Sequence, residues 1–335
     1  MHRAAAAARV RLGATSPNPA VGAAALDASG RLLAVGIHER AGAAHAEAAL
    51  LAQCRAQGLL GQIDTLCVTL EPCNHHGRTP PCTEAIIAAG IRRVVVGTRD
   101  PNPHVAGQGI ERLRAHGIQI LCGVGQQECE WLIHAFAHVA RTGAPWVTVK
   151  RAFDRAGSMI PPPGQKTFTS PASLLLAHRL RKKADAVLTS RSTILADNPL
   201  FTVRLVPDFS DKTRYLAIMD RTGRTPSAYL ELARARGFEP LIYTEIGAAL
   251  ADLSRRGAQD ILVEAGPALS AEILASRQWT MAVDIHQGAA QAGGATQDGA
   301  ETQGEDRVEV ALSPAVTIAN AKTSFTWEQV LPADG

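Results

Sequence analysis

Three short apolar runs constrain this chain most: TLCVTL (65–70), RRVVVG (92–97) and IQILCG (118–123). They are too short for helices and carry little polar alternation, so they read as strands buried on both faces. Between and before them lie HAEAALLAQCRAQG (45–58), CTEAIIAAG (82–90) and AGQGIERLRAHG (106–117), helical in period and each ending at a glycine. Strands alternating with helices imply an α/β sheet with both faces covered. Ahead of them a helix is expected over about 3–13, stopped by SPNP (16–19). AVGAAALDA (20–28) and RLLAVGI (31–37), joined by SG, then read as a hairpin.

A second series begins after RTGAP (141–145), a natural hinge. WVTVK (146–150), DAVLTS (185–190), RYLAIM (214–219), EPLIYT (239–244) and DILVEAG (260–266) read as strands, and SLLLAHRLRKK (173–183) as a helix. With 335 residues the chain divides into two domains, 1–143 and 145–335, both α/β. The tract at about 286–305, rich in Gly, Gln and Ala, reads as an exposed flexible loop.

Composition excludes several classes. Net charge is +3 and aromatics are 4%, with no basic stripe, which argues against a nucleic-acid partner. No run is long enough to span a membrane. The start, MHRAAAAARVRLGA, reads as a plain first helix rather than a leader. Six cysteines in a chain of this length do not make a disulfide scaffold, so a reducing cytoplasm is expected.

TLEPCNHHGRTPPCTEA (69–85) concentrates two cysteines and two histidines in one loop. A metal site, a disulfide and a Cys–His nucleophile are the alternatives. Upstream, HAE places His45 and Glu47 at a helix start. Catalytic zinc needs three protein ligands and an open position. His45, Cys73 and Cys82 supply the three, and Glu47 sits where a non-ligating carboxylate can move protons, as in zinc deaminases. A Cys–His nucleophile has no use for the second cysteine or for Glu47, and a purely structural zinc module has no use for Glu47. A proline precedes each of Cys73 and Cys82, and Cys82 opens a helix, where free N–H groups favour thiolate. Cys54, Cys67, Cys122 and Cys129 read as buried small hydrophobes.

The eight residues between the two cysteines, NHHGRTPP, make the resemblance specific. HAE … TLEPCNHHGRTPPC resembles the deaminase domain of the bifunctional riboflavin-biosynthesis deaminase/reductases. SPNPAVGAA, GIHERAGAAHAE, VVVGTRDPNPHVAGQGI and RTGAPWVTVK follow in the same order, so the likeness covers nearly all of residues 1–150. It implies a cytidine-deaminase-like fold and a phosphoribosylated 2,5-diamino-6-hydroxypyrimidine as substrate. Arg78 then suits the 5′-phosphate, Asn18 and Asn102 the pyrimidine edge, and His38 the ring or ribose. The plainer reading makes each of these a turn residue capping backbone groups. His75 and His76 read as loop or surface groups.

LRKKADAVLTSRSTILADNPLFTVR, IMDRTGRTP and ILVEAGPALSAEIL resemble the family's reductase domain, a fold similar to dihydrofolate reductase. The resemblance implies reduction of the ribosyl group to ribityl by NADPH. It places Thr193, Asp197 and Gly266 near that cofactor and Ala152 along its site. Arg181 and Arg204 fall toward substrate phosphate, Glu264 toward the ribose, and Phe201 into the same substrate site. FDRAGS and KTFTS depart from the family pattern, and a late strand is expected to be missing where the polar tract stands, leaving a sheet edge uncovered. A homodimer is expected. The alternative functions are a monofunctional deaminase with a structural or dimerising second half, and a nucleic-acid base deaminase.

Overall fold

GAAAL is a poor strand former by propensity, yet it makes β1 (Gly22–Leu26), flanked by β2 (Leu32–Ile37) and β3 (Thr65–Leu70). Small side chains are needed there because helices press on the sheet. A Cβ on Gly22 would lie 2.0 Å from the carbonyl oxygen of Ala4, in α1 (His2–Arg9). One on Gly36 would lie 2.5 Å from that of Ala46, the first residue of α2 (Ala46–Ala56). The computed structural model describes residues 1–75, 80–103, 105–161, 167–288 and 306–314. They fall into two compact units, Met1–Gly143 and Ala144 onward.

The first unit continues through α3 (Cys82–Ala88), β4 (Arg93–Thr98), α4 (Gln108–Ala115), β5 (Gln119–Cys122), α5 (Gln126–Leu132) and α6 (His134–Thr142). Sheet order is β2-β1-β3-β4-β5. The β1–β2 and β1–β3 pairs are antiparallel, and β3–β4 and β4–β5 parallel. Alternate residues face opposite layers, as the pleat requires. Ala23, Ala25, Leu66, Val68, Val94 and Val96 pack with Leu50, Ile86, Ile110 and Leu113 of α2, α3 and α4. Ala24, Cys67 and Val95 pack with Ala4 on the other side. α1 ends at Arg9 rather than near residue 13, because the chain tightens into three-residue bonds, Arg11 N to Ala8 O and Leu12 N to Arg9 O.

The second unit holds β6 (Trp146–Phe153), α7 (Pro171–Lys183), β7 (Ala186–Ser190), α8 (Arg191–Asp197), β8 (Arg214–Met219), α9 (Ser227–Ala235) and β9 (Phe238–Tyr243). These are followed by α10 (Ile246–Arg255), β10 (Asp260–Val263), α11 (Pro267–Ala275), β11 (Met281–His286) and β12 (Arg307–Leu312). The order is β12-β11-β6-β10-β7-β8-β9, parallel throughout except for β12. Val147, Leu188, Ala217 and Val263 pack with Leu253 and Ile273 on one face. Val187, Leu216 and Ile218 pack with Ile194, Phe201 and Tyr229 on the other.

The expected loss of a late strand is corrected. β12 pairs antiparallel with β11 from Met281↔Leu312 to His286↔Arg307, so β11 is not an edge. The polar tract also begins later than 286, because His286 closes β11; residues 289–305 lie outside those described. The divergent FDRAGS still forms a turn, with Asp154 Oδ1 accepting from Ala156 N and Ser158 N. In KTFTS, Ser170 caps α7 by accepting from Ser173 N at 3.3 Å. Among the described residues no helix is long and apolar enough to cross a membrane.

Candidate functional site

In the first unit three chain segments meet at the ends of β3 and α2. His45 is the N-cap of α2, Cys82 opens α3 after the N-cap Pro81, and Cys73 follows β3 by three residues. The close seat of α2 at Gly36 fixes the height of His45 above the sheet. Cys82 N donates to Cys73 Sγ at 3.3 Å and Thr83 N to Cys73 O at 3.2 Å, so the two cysteine segments are tied directly.

His45 Nδ1 lies 3.5 Å from Cys73 Sγ and 3.4 Å from Cys82 Sγ, and the three atoms all fall within 4.8 Å of one another. Two thiolate sulfurs and an imidazole nitrogen around tetrahedral zinc would stand about 3.6 Å apart, sulfur to nitrogen. The side chains are therefore already spaced as tetrahedral edges. Their electrostatics correct the expectation of a thiolate at Cys82, because the buried thiol shares its hydrogen with Cys73 and the low value falls on Cys73. The hydrogen bond from Cys82, helped by His45, pulls the Cys73 thiol down to about 4. Cys82 is pushed up by Cys73 and by burial, and His45 is raised by its hydrogen bond to Cys73. Burial pushes Glu47 up to about 7, so its carboxyl both accepts and releases a proton near neutral pH.

His38 stands beside this group, its ring 5.6 Å from that of His45 and at 82° to it. Its Nδ1 is 3.0 Å from Ala44 O, an acceptor only, so Nδ1 carries the hydrogen. Nε2 then accepts from Asn18 Nδ2 at 3.1 Å. Burial lowers the His38 imidazole and keeps it in this neutral form. Asn102 lies in the β4–α4 loop, its N–H on Asp100 Oδ1 at 2.8 Å and its carbonyl taking Val105 N and Ala106 N. His75 is exposed; His76 and Arg78 lie outside the described residues. Cys54, Cys67 and Cys129 are buried, but Cys122, on the edge strand β5, is only half-buried, contrary to expectation.

In the second unit the polar groups gather at the carboxyl ends of parallel strands, where open α/β sheets bind ligands. Glu264, buried just beyond β10, is held bidentately by Arg181, Nε to Oε2 at 2.6 Å and Nη2 to Oε1 at 3.0 Å. Lys150 Nζ reaches the same carboxylate at 3.3 Å. Burial raises Glu264, but Arg181 and Lys150 outweigh it and hold the carboxyl at about 2. Arg181 is thus engaged by Glu264 and by Thr202 O, not turned outward as a phosphate holder, whereas Arg204 has an exposed side chain bonded to Thr202 Oγ1. Phe201 is buried with φ +55°. Thr193 Oγ1 accepts from Gly266 N at 3.0 Å and shares a hydrogen with Ser190 Oγ at 2.9 Å. Asp197 is exposed at the end of α8, and Ala152 pairs with Ile285 in the sheet. The sequence reading passed over Lys150 and Glu71. A lone lysine closing the apolar run WVTV was the available signal for the first.

Two family descriptions match the chain. The cytidine and deoxycytidylate deaminase zinc-binding region covers residues 1–98, and the RibD C-terminal domain covers residues 145–278. Riboflavin biosynthesis protein RibD of Synechocystis sp. is 35% identical over 302 residues, 82% of this chain and 80% of that one. Those of Aquifex aeolicus and Escherichia coli are each 43% identical over 62% and 57% of this chain, with matches spanning 58% and 51% of their own lengths. Among solved structures, the deaminase/reductase of Thermotoga maritima aligns with a TM-score of 0.75 at 32% identity, over 86% of this chain and 85% of that one. Acinetobacter baumannii RibD aligns at 0.73 with 29% identity, over 87% and 86%. With both halves matched in order and a relative aligned over most of its length, the chain belongs to the RibD family of riboflavin biosynthesis proteins.

Proposed function

We propose that the chain is a bifunctional enzyme of riboflavin synthesis. Its first unit hydrolyses the exocyclic 2-amino group of 2,5-diamino-6-hydroxy-4-(5-phosphoribosylamino)pyrimidine, and its second reduces the ribosyl side chain of the product. The observation that carries the deaminase is the His45, Cys73 and Cys82 trio, spaced as tetrahedral edges beside the buried carboxyl of Glu47. Those three residues would hold zinc, which supplies Lewis-acid activation of water. Glu47 moves both protons of the attacking water, one to the ring nitrogen and one to the exocyclic nitrogen, which leaves as ammonia while the ring carbon becomes a carbonyl. His38, whose two ring nitrogens are taken by Ala44 O and Asn18 Nδ2, orients the Asn18 amide, which is assigned to the pyrimidine edge. Arg78 and Asn102 are assigned to the phosphate and the ring.

In the second unit, the Ser190 and Thr193 hydroxyls, with Gly266 N bonded to Thr193 Oγ1, form a polar group suited to the NADPH pyrophosphate, and Ala152 and Asp197 are assigned to the same cofactor. NADPH supplies the hydride. Lys150 and Glu264 orient the ribose, Arg181 holds Glu264, and Arg204, beside Phe201, meets the phosphate. The intact Lys150–Glu264–Arg181 cluster favours this reading over a purely structural second half. Six free thiols fit a reducing cytoplasm, and a homodimer is the expected assembly, to be measured by sedimentation.

Glu47→Gln tests the deaminase. Gln preserves shape and ligands but moves no proton, so zinc content is expected to hold while turnover falls about 10²–10⁴-fold. Turnover within a few-fold of wild type would sink the assignment. NADPH oxidation with the deaminated substrate, lost in Arg204→Ala, tests the second half; no oxidation by wild type would leave a monofunctional deaminase.

A further inference from the structure

Four backbone N–H groups converge on one buried carboxylate, that of Glu71, two positions before Cys73. Oε2 accepts from Asp100 N at 3.2 Å and Gly107 N at 3.0 Å. Oε1 accepts from Gly109 N at 3.1 Å and Ile110 N at 3.3 Å. Asp100 and Gly107 are the two feet of the loop that carries Asn102, so a single oxygen ties that loop shut at its base. Gly107 turns the chain there with φ +86°, a conformation that favours glycine. The other oxygen holds the first turn of α4.

Pro72 completes the junction. A Cβ on Gly109 would lie 2.0 Å from Pro72 O, so α4 starts against the residue that precedes Cys73. A simple helix cap uses one or two N–H groups at the helix start. Asp100 lies eight residues before α4 begins, outside any capping position, yet it is bonded to the same carboxylate.

We infer that Glu71 is a positioning residue of the deaminase site, holding the Asn102 loop at a fixed distance from the Cys73 sulfur. The inference rests on the deaminase reading above. Both Glu71 oxygens are taken up by backbone N–H groups, so it acts through Asn102 and Cys73.

The test is Glu71→Gln in the full-length, zinc-loaded protein. Gln keeps one acceptor oxygen and turns an NH₂ toward groups that are themselves donors. Amide exchange across residues 100–110 is expected to accelerate about tenfold while β3 and β4 exchange as before. Zinc stoichiometry is unchanged, and KM rises about tenfold with little loss of kcat. The KM effects of Glu71→Gln and Asn102→Ala are expected to be non-additive, the double variant being no worse than Asn102→Ala alone. Additive effects, or unaltered exchange, overturn the inference. If Glu71→Gln fails to fold, Gly109→Ala strains the same junction from the Pro72 side and carries the same expectations and the same refutation. A wild type without deaminase activity overturns the underlying reading; an active wild type with additive variants overturns this inference alone.

Discussion

Replacing Glu264 with Gln separates what the buried ion cluster does for the fold from what it does for a substrate. The carboxylate is 5% exposed and is shared by Arg181, 15% exposed, and Lys150, 20% exposed. Removing one member of such a group leaves the others as uncompensated buried charges, at about 3–5 kcal/mol. Linkage gives a similar figure independently. A carboxyl that titrates near 4.5 when unfolded and at about 2 in the fold contributes about 3 kcal/mol at neutral pH. Because the folded value is depressed, that contribution is complete above pH 4.5 and is lost as pH falls toward 2. The assay is native-state hydrogen exchange of the buried amides of β7 and β10, which report opening of the second unit. At pH 7 the variant should be about 3 kcal/mol less stable, equivalent to about 6–12 °C in Tm. The gap should narrow by about 1.4 kcal/mol for each pH unit below the carboxyl's unfolded value. A gap under about 1 kcal/mol at pH 7, or one that does not narrow on acidification, would refute the reasoning.

Gly36→Ala is expected to cost about 1–3 kcal/mol by overpacking and, by lifting α2, to speed release of zinc to a chelator, since the new Cβ would meet Ala46 O at 2.5 Å and Leu50 Cβ at 2.7 Å; unchanged release would show that α2 is not what seats His45. His178 Nδ1 accepts from Arg204 N at 2.8 Å, and burial, with Arg181 and Arg204, lowers its imidazole to about 4. Between that value and 6.5 the unfolded chain binds a proton that the folded chain refuses, so stability falls as pH drops through the window. His178→Asn keeps an acceptor for Arg204 N without titrating, and the slope of stability against pH between 5 and 6.5 should flatten; an unchanged slope assigns it to other groups.

The parallel strands were legible because burial on both faces writes them as unbroken apolar runs, as in TLCVTL and DAVLTS. α5 and α6 were not read at all. QQECEWL opens with polar residues after two glycines, and neither helix is long enough to build a strong period. β12 was missed because RVEVAL follows a low-complexity tract and its partner β11 lies across it. At the candidate site, residue type alone picked out His45, Glu47, Cys73 and Cys82. Glu71 was invisible, since a carboxylate in EPC reads as solvated until its four N–H partners arrive from 29 to 39 residues away. Lys150 and Glu264 lie 114 residues apart in sequence and meet only because β6 and β10 are neighbours in the sheet.

The β11–β12 pairing carries a practical consequence for protein engineering. His286 and Arg307 face each other across the sheet, and Asp306 Oδ1 holds Gly288 N at 3.1 Å, so the two ends of the intervening chain are fixed side by side by bonds that lie outside it. The number of residues joining them is therefore not dictated by the strands. Closing a longer connection adds only about 0.6 kcal/mol per doubling of its length. Register in both strands is therefore set by the anchoring residues themselves, so engineered variants of this sheet edge should keep His286, Gly288, Asp306 and Arg307.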